Sequence, residues 1–418
     1  MEDVLLKKMF EPQRWEKAID VGVGKHIDKG ELRKLTSPEV RLSVYKALVD
    51  GEMKVFPPHQ ALIPKDNGEF RTVYVNENLD RILLSIINDM LFELCPEMVH
   101  KQCKSYQTGI GCGKVVQEAS RELCKVKSNT VGLKADLTKY FDSVPLKFID
   151  EIFDRIEQKF GKSKVIDYVR DYYHEDVCFD TENNLITKYQ SLKQGCAVSS
   201  FLADAMLYDI DDYFTKNYVF YCRYSDDLLI ICSDTDKTYK ELESKLNSME
   251  LTLNPKKVEV LTKDRFFKFL GFSIRGSEIS LSKSRIKSFQ KEIEHLTIKN
   301  RKNTLTKATN KVNSFLYKGK YSWASSVLPI INISEDINEL NEFVMDCVRA
   351  VATKETKVGG LGCELTKKVG VITRGRGKNV TSNRQKTDKE LVNFKTLGCM
   401  RNALLTSRDV YNTLVQQM

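Results

Sequence analysis

The sequence predicts an α+β protein, in which short strands and helices follow one another irregularly. The segments 131–136 and 218–233 contain short apolar runs that are typical of buried strands. Apolar residues at helical spacing predict helices over 78–93 and 146–174. After Ser280 the chain changes to basic amphipathic segments, so we expect the last third to be helical.

The composition bounds the class of protein. Of the 418 residues, 41% are hydrophobic and 29% are charged, which is ordinary for a soluble globular protein of two or three domains. No apolar run is long enough to span a bilayer, and the acidic start MEDVLLKKMF is unlike a secretory signal. Eleven cysteines without a CxxC pair predict reduced thiols in a cytosol, and the five scattered histidines argue against a zinc site.

The positive charge is concentrated in the last third of the chain. From 281 to 320, eleven Lys or Arg residues stand against two acids, for a net charge of +9. From 351 to 390 the net charge is +6, and the Gly-rich part of this run, 359–379, is predicted to form loops or turns. Two dense basic runs favour a polyanionic partner, and a solvated surface is the alternative.

Local sequence signals predict the elements at the start of the chain. Ser37 and Pro38 are typical of a helix start and Gly51 of a helix end, so we expect the chain to begin with helices. The segment 61–75 predicts a hairpin that turns at the DNG tripeptide of 66–68.

Weaker patterns predict five further elements. A helix is expected over 197–215, and short strands are expected over 257–261 and 267–274. In the basic last third, apolar residues at helical spacing predict one helix around 286–296 and another from about Ser334.

Acidic residues stand at the ends of predicted strands. Asp136 closes an apolar strand, and Asp226 and Asp227 occupy the tight turn between two apolar strands. Nucleotidyl transfer uses two divalent ions about 3.5–4 Å apart, and a few carboxylates are enough to hold them. Each acid could instead be an ordinary turn residue, and a second doublet, Asp211-Asp212, is interpreted as helix surface.

Seven motifs, read in order, make the pattern specific. They resemble the conserved core of reverse transcriptases, most closely the bacterial group II intron-like and retron-like enzymes. The motifs are IPKDNGEFR (63–71), LDRIL (79–83), DLTKYFD (136–142), QGCAVSSFLA (194–203), RYSDD (223–227), LNPKKVEVL (253–261) and FKFLGF (267–272). The resemblance implies a right-hand polymerase with fingers, an antiparallel-sheet palm and a helical thumb. Its domains would be a helical extension (1–60), fingers and palm (61–275), and a basic thumb with a C-terminal RNA- or duplex-binding region (276–418).

The resemblance also implies roles for single residues. Asp136 and Asp226 would be catalytic ligands of two Mg²⁺ ions, with Mn²⁺ as a substitute, and Asp227 would support them as a third catalytic and metal-site acid. The deoxynucleoside triphosphate would be bound by Lys65, Arg71, Phe141, Gln194, Gly195 and Lys257. Lys257 would help to protonate the leaving pyrophosphate, although Lys256 beside it is an alternative.

Primer and template contacts are implied for a second set. Tyr224 would pack beneath the primer terminus, and the small Ser225 would let the turn approach it. Phe269, Leu270 and Gly271 resemble the hairpin that grips the primer strand. Thumb contacts to the duplex backbone are predicted for Lys283, Arg285, Lys287 and Lys291.

Two departures narrow the family resemblance. The family usually has Ser-Pro where this chain has Ser199-Ser200, and intron-type enzymes have Tyr-Arg-Pro-Gly where it has YQTG at 106–109. The chain most resembles single-chain, defence-associated reverse transcriptases of bacteria, which implies a cytoplasmic enzyme that copies a dedicated non-coding RNA. The implied partners are that RNA, the RNA–DNA hybrid, the cDNA product and deoxynucleoside triphosphates, with no membrane.

Three alternatives stay open at the level of the sequence. The chain could be a retron or group II intron-like retroelement enzyme, or an RNA-binding protein whose polymerase site has decayed. An RNA-directed RNA polymerase is the third, and the ring of Phe141 argues against it because a bulky side chain there would exclude the 2′-hydroxyl.

Phe141→Ala should therefore relax the selection against ribonucleotides. We expect the ratio of kcat/KM for deoxynucleotides over ribonucleotides to fall about tenfold or more, because a ring that clashes with the 2′-hydroxyl would be gone. Single-nucleotide incorporation with each substrate measures that ratio. Undiminished rejection of ribonucleotides would contradict the assignment of Phe141.

Overall fold

The structure is a computed structural model that describes residues 2–21, 27–65, 68–187, 191–299, 304–319 and 322–352. It confirms the α+β class. The chain divides into two compact units, one made of residues 1–110 and 130–262, the other of residues 111–129 and the described residues from 263 onward.

Helices open the first unit, as predicted. They are α1 (Val4–Met9), α2 (Pro12–Val21), α3 (Lys29–Leu35) and α4 (Pro38–Asp50). The start of α4 follows the sequence signals, since the Ser37 side chain accepts a hydrogen bond from the Val40 N–H at 3.4 Å. Gly51 ends this helix in the left-handed conformation, at φ 73°.

A four-stranded sheet follows the helical start. Its order is β2-β1-β4-β5, formed by β1 (His59–Pro64), β2 (Phe70–Val75), β4 (Val177–Phe179) and β5 (Leu185–Thr187). The β1–β2 pair is the predicted hairpin, and it is antiparallel from His59↔Val75 to Pro64↔Phe70. The first two residues of its predicted turn, Asp66 and Asn67, lie outside the described residues.

The central sheet of this unit carries the predicted acidic residues. It has the order β6-β7-β3-β8 and is antiparallel throughout. Its strands are β3 (Thr130–Asp136), β6 (Phe220–Tyr224), β7 (Asp227–Ile231) and β8 (Glu259–Thr262). Strand β3 lies between β7 and β8, so Asp136 ends a strand that has neighbours on both sides.

Helices provide the core around this sheet. They are α5 (Asn78–Leu94), α7 (Tyr140–Ser143), α8 (Leu146–Phe160), α9 (Lys164–His174), α10 (Val198–Met206), α11 (Tyr208–Asn217) and α12 (Thr235–Ser248). The core is apolar and continuous with the inner residues of α1 to α4. Its burial supplies the hydrophobic free energy that holds the acid-bearing strands in place.

Three predicted elements have different bounds in the structure. The helix predicted over 146–174 is two helices, because Gly161 ends α8 with φ 85° and Ser163 caps the start of α9. The helix predicted over 197–215 is also divided, at Leu207, into α10 and α11. The strand predicted over 257–261 begins later, because residues Pro255–Lys257 form a 3₁₀ turn before β8.

The second unit combines a small sheet with helices. It contains α6 (Cys112–Lys125), β9 (Phe267–Phe269), β10 (Phe272–Arg275), β11 (Glu278–Leu281), α13 (Lys283–Leu296), α14 (Leu305–Tyr317), α15 (Trp323–Ser326) and α16 (Ser334–Ala352). The helices predicted around 286–296 and from Ser334 are confirmed as α13 and α16. No sequence pattern predicted the individual elements α6, β11, α14 and α15.

The strand predicted over 267–274 is a tight hairpin in this unit. Leu270 and Gly271 both have positive φ, 49° and 80°, so they reverse the chain between β9 and β10. The basic run of 351–390 and its Gly-rich part lie outside the described residues, apart from 351 and 352. Among the described helices, none has the length and apolar character needed to cross a membrane.

Gly132→Ala should destabilise the protein without involving any acidic residue. A Cβ at this position of β3 would overlap the Ile230 carbonyl oxygen and lie 3.1 Å from the Ile231 Cα, both on the neighbouring strand. Backbone cannot yield as a side chain does, so we expect a loss of at least about 1–3 kcal/mol in thermal or chemical unfolding. Gly111→Ala is the control, because no neighbouring atom lies within 4 Å of its added Cβ. Equal stability of the two variants would contradict the packing described here.

Candidate active site

Three carboxyl groups converge at one end of the central sheet. Asp136 and Asp227 are direct cross-strand partners in the β3–β7 pair. Asp226 occupies the turn before β7, and its carbonyl accepts a hydrogen bond from the Leu137 N–H at 3.2 Å. The fold thus brings together the three acids that the sequence singled out, although ninety residues of chain separate Asp136 from the other two.

The electrostatics of the cluster favour a cation. Burial raises the pKa of the Asp226 carboxyl, and the charge of Asp136 raises it further. Burial also raises the pKa of Asp227 to about 6, an effect that the Lys134 ammonium partly opposes. Carboxylates that are buried beside one another repel, and positive charge close by relieves the repulsion.

Lys257 supplies such a charge from the 3₁₀ turn before β8. Its ammonium donates to both carboxylate oxygens of Asp136, at 2.8 and 2.7 Å. Burial opposes the charged form, but the hydrogen bonds to Asp136 and the charges of Asp136, Asp226 and Asp227 together outweigh burial and raise the pKa of Lys257. Both adjacent lysines, Lys256 and Lys257, are exposed, and in the described structure it is the Lys257 ammonium that is hydrogen-bonded to the acid.

The β1–β2 hairpin contributes a second cation. The Arg71 guanidinium is near enough to lower the pKa of Asp226, in opposition to burial. Lys65 lies at the tip of the hairpin, where its ammonium is 3.4 Å from the Glu69 carboxylate. Of the two hairpin residues predicted to clamp a triphosphate, Arg71 therefore acts electrostatically on the acids, and Lys65 contacts Glu69.

The Gln194-Gly195 turn packs directly on the same hairpin. The Gln194 carbonyl accepts from the Tyr74 N–H at 2.7 Å. Gly195 has φ 108°, and a Cβ there would stand 2.7 Å from the Tyr74 carbonyl oxygen. Only glycine fits this backbone conformation and this approach.

Phe141 lies in α7, the short helix that follows Asp136. It is half-buried, and its carbonyl accepts a hydrogen bond from the Ser191 hydroxyl at 2.8 Å. Lys193 next to this contact is buried, and its ammonium donates to the carbonyls of Tyr172 and, at 3.1 Å, Glu175. The structure thus joins the chain near Phe141 to the segment that leads into Gln194.

The predicted primer-side residues divide between the two units. Tyr224 pairs with Asp227 at the end of the β6–β7 hairpin, and Ser225 forms its turn. In the second unit, Phe269 ends β9, and Leu270 and Gly271 form the turn to β10.

The basic residues predicted to contact the duplex lie in the second unit. The Arg285 guanidinium lies over the Phe272 ring, 4.5 Å from its centroid. Lys283, Lys287 and Lys291 are exposed at intervals of four residues along α13, which places them on one face.

The interpretation of Asp211 as helix surface is wrong. Its side chain is 0% exposed and accepts from the Arg223 guanidinium, at 2.8 Å from Nε and 2.7 Å from Nη2. An arginine inside an otherwise apolar strand was the signal for a buried acidic partner, since a buried charge needs one. Lys134, beside Asp227, was also missed, because a single lysine in a strand carries no distinctive pattern.

The donor set fits divalent ions of the magnesium type. In the part of the chain that the structure describes, no three His, Cys, Asp or Glu side chains surround a common point, as they would in a closed metal site. Mg²⁺ needs fewer protein ligands, because it keeps several waters and is often bound by one or two carboxylates together with substrate phosphates. The carboxyl groups of Asp136 and Asp226, which are near enough to interact electrostatically, would meet that requirement.

Comparison with known proteins identifies the family of this chain. Residues 63–274 match the family model described as reverse transcriptase (RNA-dependent DNA polymerase). Because this match spans just over half of the chain, the chain belongs to the reverse transcriptase family, whose class is the RNA-directed DNA polymerases and whose fold is the right-hand polymerase fold. A comparison with curated proteins gave no significant match.

Solved structures of telomerase are distantly similar. The telomerase from Candida albicans, in complex with a TWJ fragment of telomeric RNA, shares 12% identity at a TM-score of 0.40, over 79% of this chain and 66% of that chain. Apo telomerase from Candida tropicalis shares 15% identity at a TM-score of 0.44, over 82% of this chain and 68% of that chain. This chain thus spans about two thirds of their length, and the family assignment depends on the sequence match alone.

Gly195→Ala should weaken nucleotide binding by this site. The added methyl group would push the Gln194 turn away from Tyr74, and the positive φ would be strained. We expect KM for the nucleotide to rise about tenfold or more, measured by steady-state incorporation. Gly109→Ala is the control, because Gly109 also has a positive φ, 82°, while no atom lies within 4 Å of its added Cβ. Similar KM values for the two variants would show that the turn does not shape the nucleotide site.

Proposed function

We propose that this protein copies a dedicated non-coding RNA into cDNA by two-metal phosphoryl transfer. The observation that carries the proposal is the cluster of Asp136, Asp226 and Asp227 at one sheet end, with Lys257 and Arg71 beside it. Adjacent buried acids, of which Asp226 and Asp227 have raised pKa values, next to cations that can contact phosphate, are the composition that this chemistry needs.

The metal ions would be held by Asp136 and Asp226, with Asp227 as a supporting acid. Bound there, Mg²⁺ supplies charge that stabilises the attacking and leaving oxygens of the transferred phosphoryl group. Mn²⁺ has the same preference for oxygen ligands. The charged Lys257 holds a proton next to Asp136, where it can be given to the leaving pyrophosphate.

The hairpin and the Gly195 turn would bind the incoming nucleotide. Arg71 can contact phosphate oxygens with two N–H groups, and Lys65 adds a point charge. Phe141, five residues after Asp136, would exclude the 2′-hydroxyl, so the substrate would be a deoxynucleoside triphosphate. Gln194 and Gly195 would bring backbone close to the template base and the nucleotide.

The second unit would bind the template–product hybrid. Phe269, Leu270 and Gly271 would grip the primer strand, and the exposed Lys283, Lys287 and Lys291 would contact phosphates of the duplex. Arg285 is held against Phe272, so part of its role would be to fix α13 relative to the β9–β10 turn. This assignment keeps the proposed division into fingers and palm followed by a thumb.

The biological setting is proposed from the motif resemblance. A bacterial enzyme of the defence-associated kind would act in the cytoplasm, would use an RNA encoded beside it, and would protect the cell against phage. A retroelement enzyme and an RNA-binding protein without activity are the competing outcomes of the experiments below.

Asp226→Asn should abolish DNA synthesis on a primed RNA template in the presence of Mg²⁺ and deoxynucleotides. The neutral amide is a poorer ligand for a hard cation, so we expect the incorporation rate to fall by about a thousandfold or more. Asp212→Asn is the matched control, because Asp212 belongs to the other acidic doublet and pairs with Lys216 on the helix surface. Equal rates for the two variants, or no synthesis by the unaltered protein, would overturn the proposed reaction.

Replacing Lys283, Lys287 and Lys291 by Ser should weaken binding to an RNA–DNA duplex and flatten its salt dependence. Each lost phosphate contact removes about 0.9 from the slope of log K against log salt, so three contacts predict a change of about 2–3. Fluorescence anisotropy at several salt concentrations measures the slope. The control replaces three exposed lysines of the first unit, Lys29, Lys46 and Lys54, with the same change of charge. An unchanged slope in the α13 variant would mean that the duplex binds elsewhere.

The template can be identified from protein purified at low salt from its native host. Bound nucleic acid is sequenced before and after addition of Mg²⁺ and deoxynucleotides, with Asp226→Asn treated in parallel. One structured RNA with new complementary DNA, absent from the variant, supports the dedicated-template proposal. A bound RNA that neither protein copies would favour the RNA-binding alternative, and many unrelated RNAs would favour a retroelement or general enzyme.

A further inference from the structure

The turn that carries Asp226 has an unfavourable backbone conformation. Ser225 has φ 57°, which lies in the left-handed region of backbone angles that residues other than glycine seldom adopt. Such a conformation costs free energy and persists only where surrounding contacts fix it. The contacts that fix Ser225 should therefore be found in the structure.

Both backbone polar groups of Ser225 are bonded by buried side chains. Its N–H donates to the Ser105 hydroxyl at 2.9 Å, and its carbonyl accepts from Nη1 of Arg223 at 3.1 Å. Ser105 and Arg223 are both 0% exposed. The carbonyl bond fixes the plane of the peptide that joins Ser225 to Asp226, and hence the direction in which the Asp226 side chain leaves the turn.

Arg223 is itself held from several directions. Asp211 accepts from its Nε and Nη2, and the Asp204 carbonyl accepts from Nη2 at 2.9 Å. The Tyr221 hydroxyl donates to the same Asp211 carboxylate at 2.7 Å. A two-point pair of this kind leaves the guanidinium little rotational freedom, which lysine could not reproduce.

Ser105 is placed by the chain segment that precedes it. The Lys104 N–H donates to the Arg223 carbonyl at 2.8 Å, and the Arg223 N–H donates to the Gln102 carbonyl at 3.0 Å. The segment therefore runs beside β6 and ends with the Ser105 hydroxyl under the turn. That hydroxyl donates to Oδ1 of Asp204 at 2.6 Å, which orients its lone pairs toward the Ser225 N–H.

The burial of the Asp204 carboxyl group in this arrangement is energetically unfavourable. Its side chain is 0% exposed, and among the described residues its Oδ2 has no hydrogen-bond partner. Burial raises the pKa of Asp204 to about 6, although the Arg223 charge opposes this. Apolar side chains of similar volume are often at least as stabilising as buried ion pairs. Contribution to stability alone is therefore a weak explanation for this group of charges.

We propose that Arg223 and Ser105 are positioning residues, which hold the Ser225–Asp226 peptide so that the Asp226 carboxylate stays near Asp136 during phosphoryl transfer. The inference rests on the proposed function for its catalytic meaning. Whether the two residues hold the turn in place can be measured by a method that does not depend on enzymatic activity. Neither residue touches substrate, so each acts through Asp226.

Ser105→Ala is the first test, because it removes one hydroxyl and leaves the pair of Arg223 and Asp211 in place. Amide hydrogen exchange, followed by mass spectrometry, should become at least about tenfold faster in the peptide that contains the turn. Peptides from β3 and β8 should keep their protection. In primer extension, kcat should fall about tenfold to a hundredfold, because small misplacements of a reacting group have effects of this size. KM for the nucleotide should change less than about twofold.

Arg223→Lys is the second test and should give the same pattern, since lysine keeps the charge but cannot bond Asp211 and the turn together. Its control is Arg170→Lys, because Arg170 also pairs with several carboxylates, those of Asp150, Asp154 and Glu157, far along the chain from the turn. We expect the control to keep kcat and the exchange of the turn peptide. If Arg223→Lys fails to fold, Ser105→Ala decides alone.

Two results would overturn the inference. One is unchanged exchange of the turn peptide in Ser105→Ala, and the other is a loss of protection shared equally by all strands of the sheet, which would indicate a general role in stability. If the unaltered protein makes no DNA, the proposed function fails, and the exchange measurement still decides whether the turn is locked.

Discussion

The pairing of β3 with β7 is the constraint on which the rest of the site depends. It sets Asp136 directly opposite Asp227 and brings the turn residue Asp226 to the end of β3. Three carboxyl groups at one sheet end repel one another, and burial makes the repulsion stronger. Burial, and after it the charges of the neighbouring acids, raises the pKa values of Asp226 and Asp227. The free energy of the surrounding apolar core has to maintain the arrangement.

Other parts of the first unit offset the accumulated negative charge. Lys257 comes from the chain before β8, Arg71 from the β1–β2 hairpin and Lys134 from β3 itself, so three elements direct cations at the acids. Beneath the turn, Arg223 is compensated separately by Asp211, which keeps its charge from being buried without a partner. Two charge networks thus meet at the Ser225–Asp226 turn, and the closed one, around Arg223 and Asp211, is fully buried. The closed network can fix geometry because solvent and substrate do not reach it.

The sequence was sufficient to predict an element or a site residue where the pattern is local or the motif is specific. The strand ending at Asp136 and the hairpin around Asp226 follow from short apolar runs, and the helix end at Gly51 follows from its turn preference. The apolar residues of Phe267–Ile274 predict one strand, because they give no signal of the turn at Leu270 and Gly271, which depends on backbone angles. The burial of Asp211 depends on a partner twelve residues away in another element, and no periodicity within its own helix reveals such a pair.

Binding of Mn²⁺ to the full-length chain, followed by electron paramagnetic resonance, tests most directly whether the acids form one cation site. The account predicts that Asp136→Asn and Asp226→Asn each weaken Mn²⁺ binding about tenfold or more, because each removes one ligand charge. Asp212→Asn should bind as the unaltered protein does. Equal Mn²⁺ affinity in all four proteins would contradict the claim that the sheet gathers these carboxyl groups in order to hold metal ions.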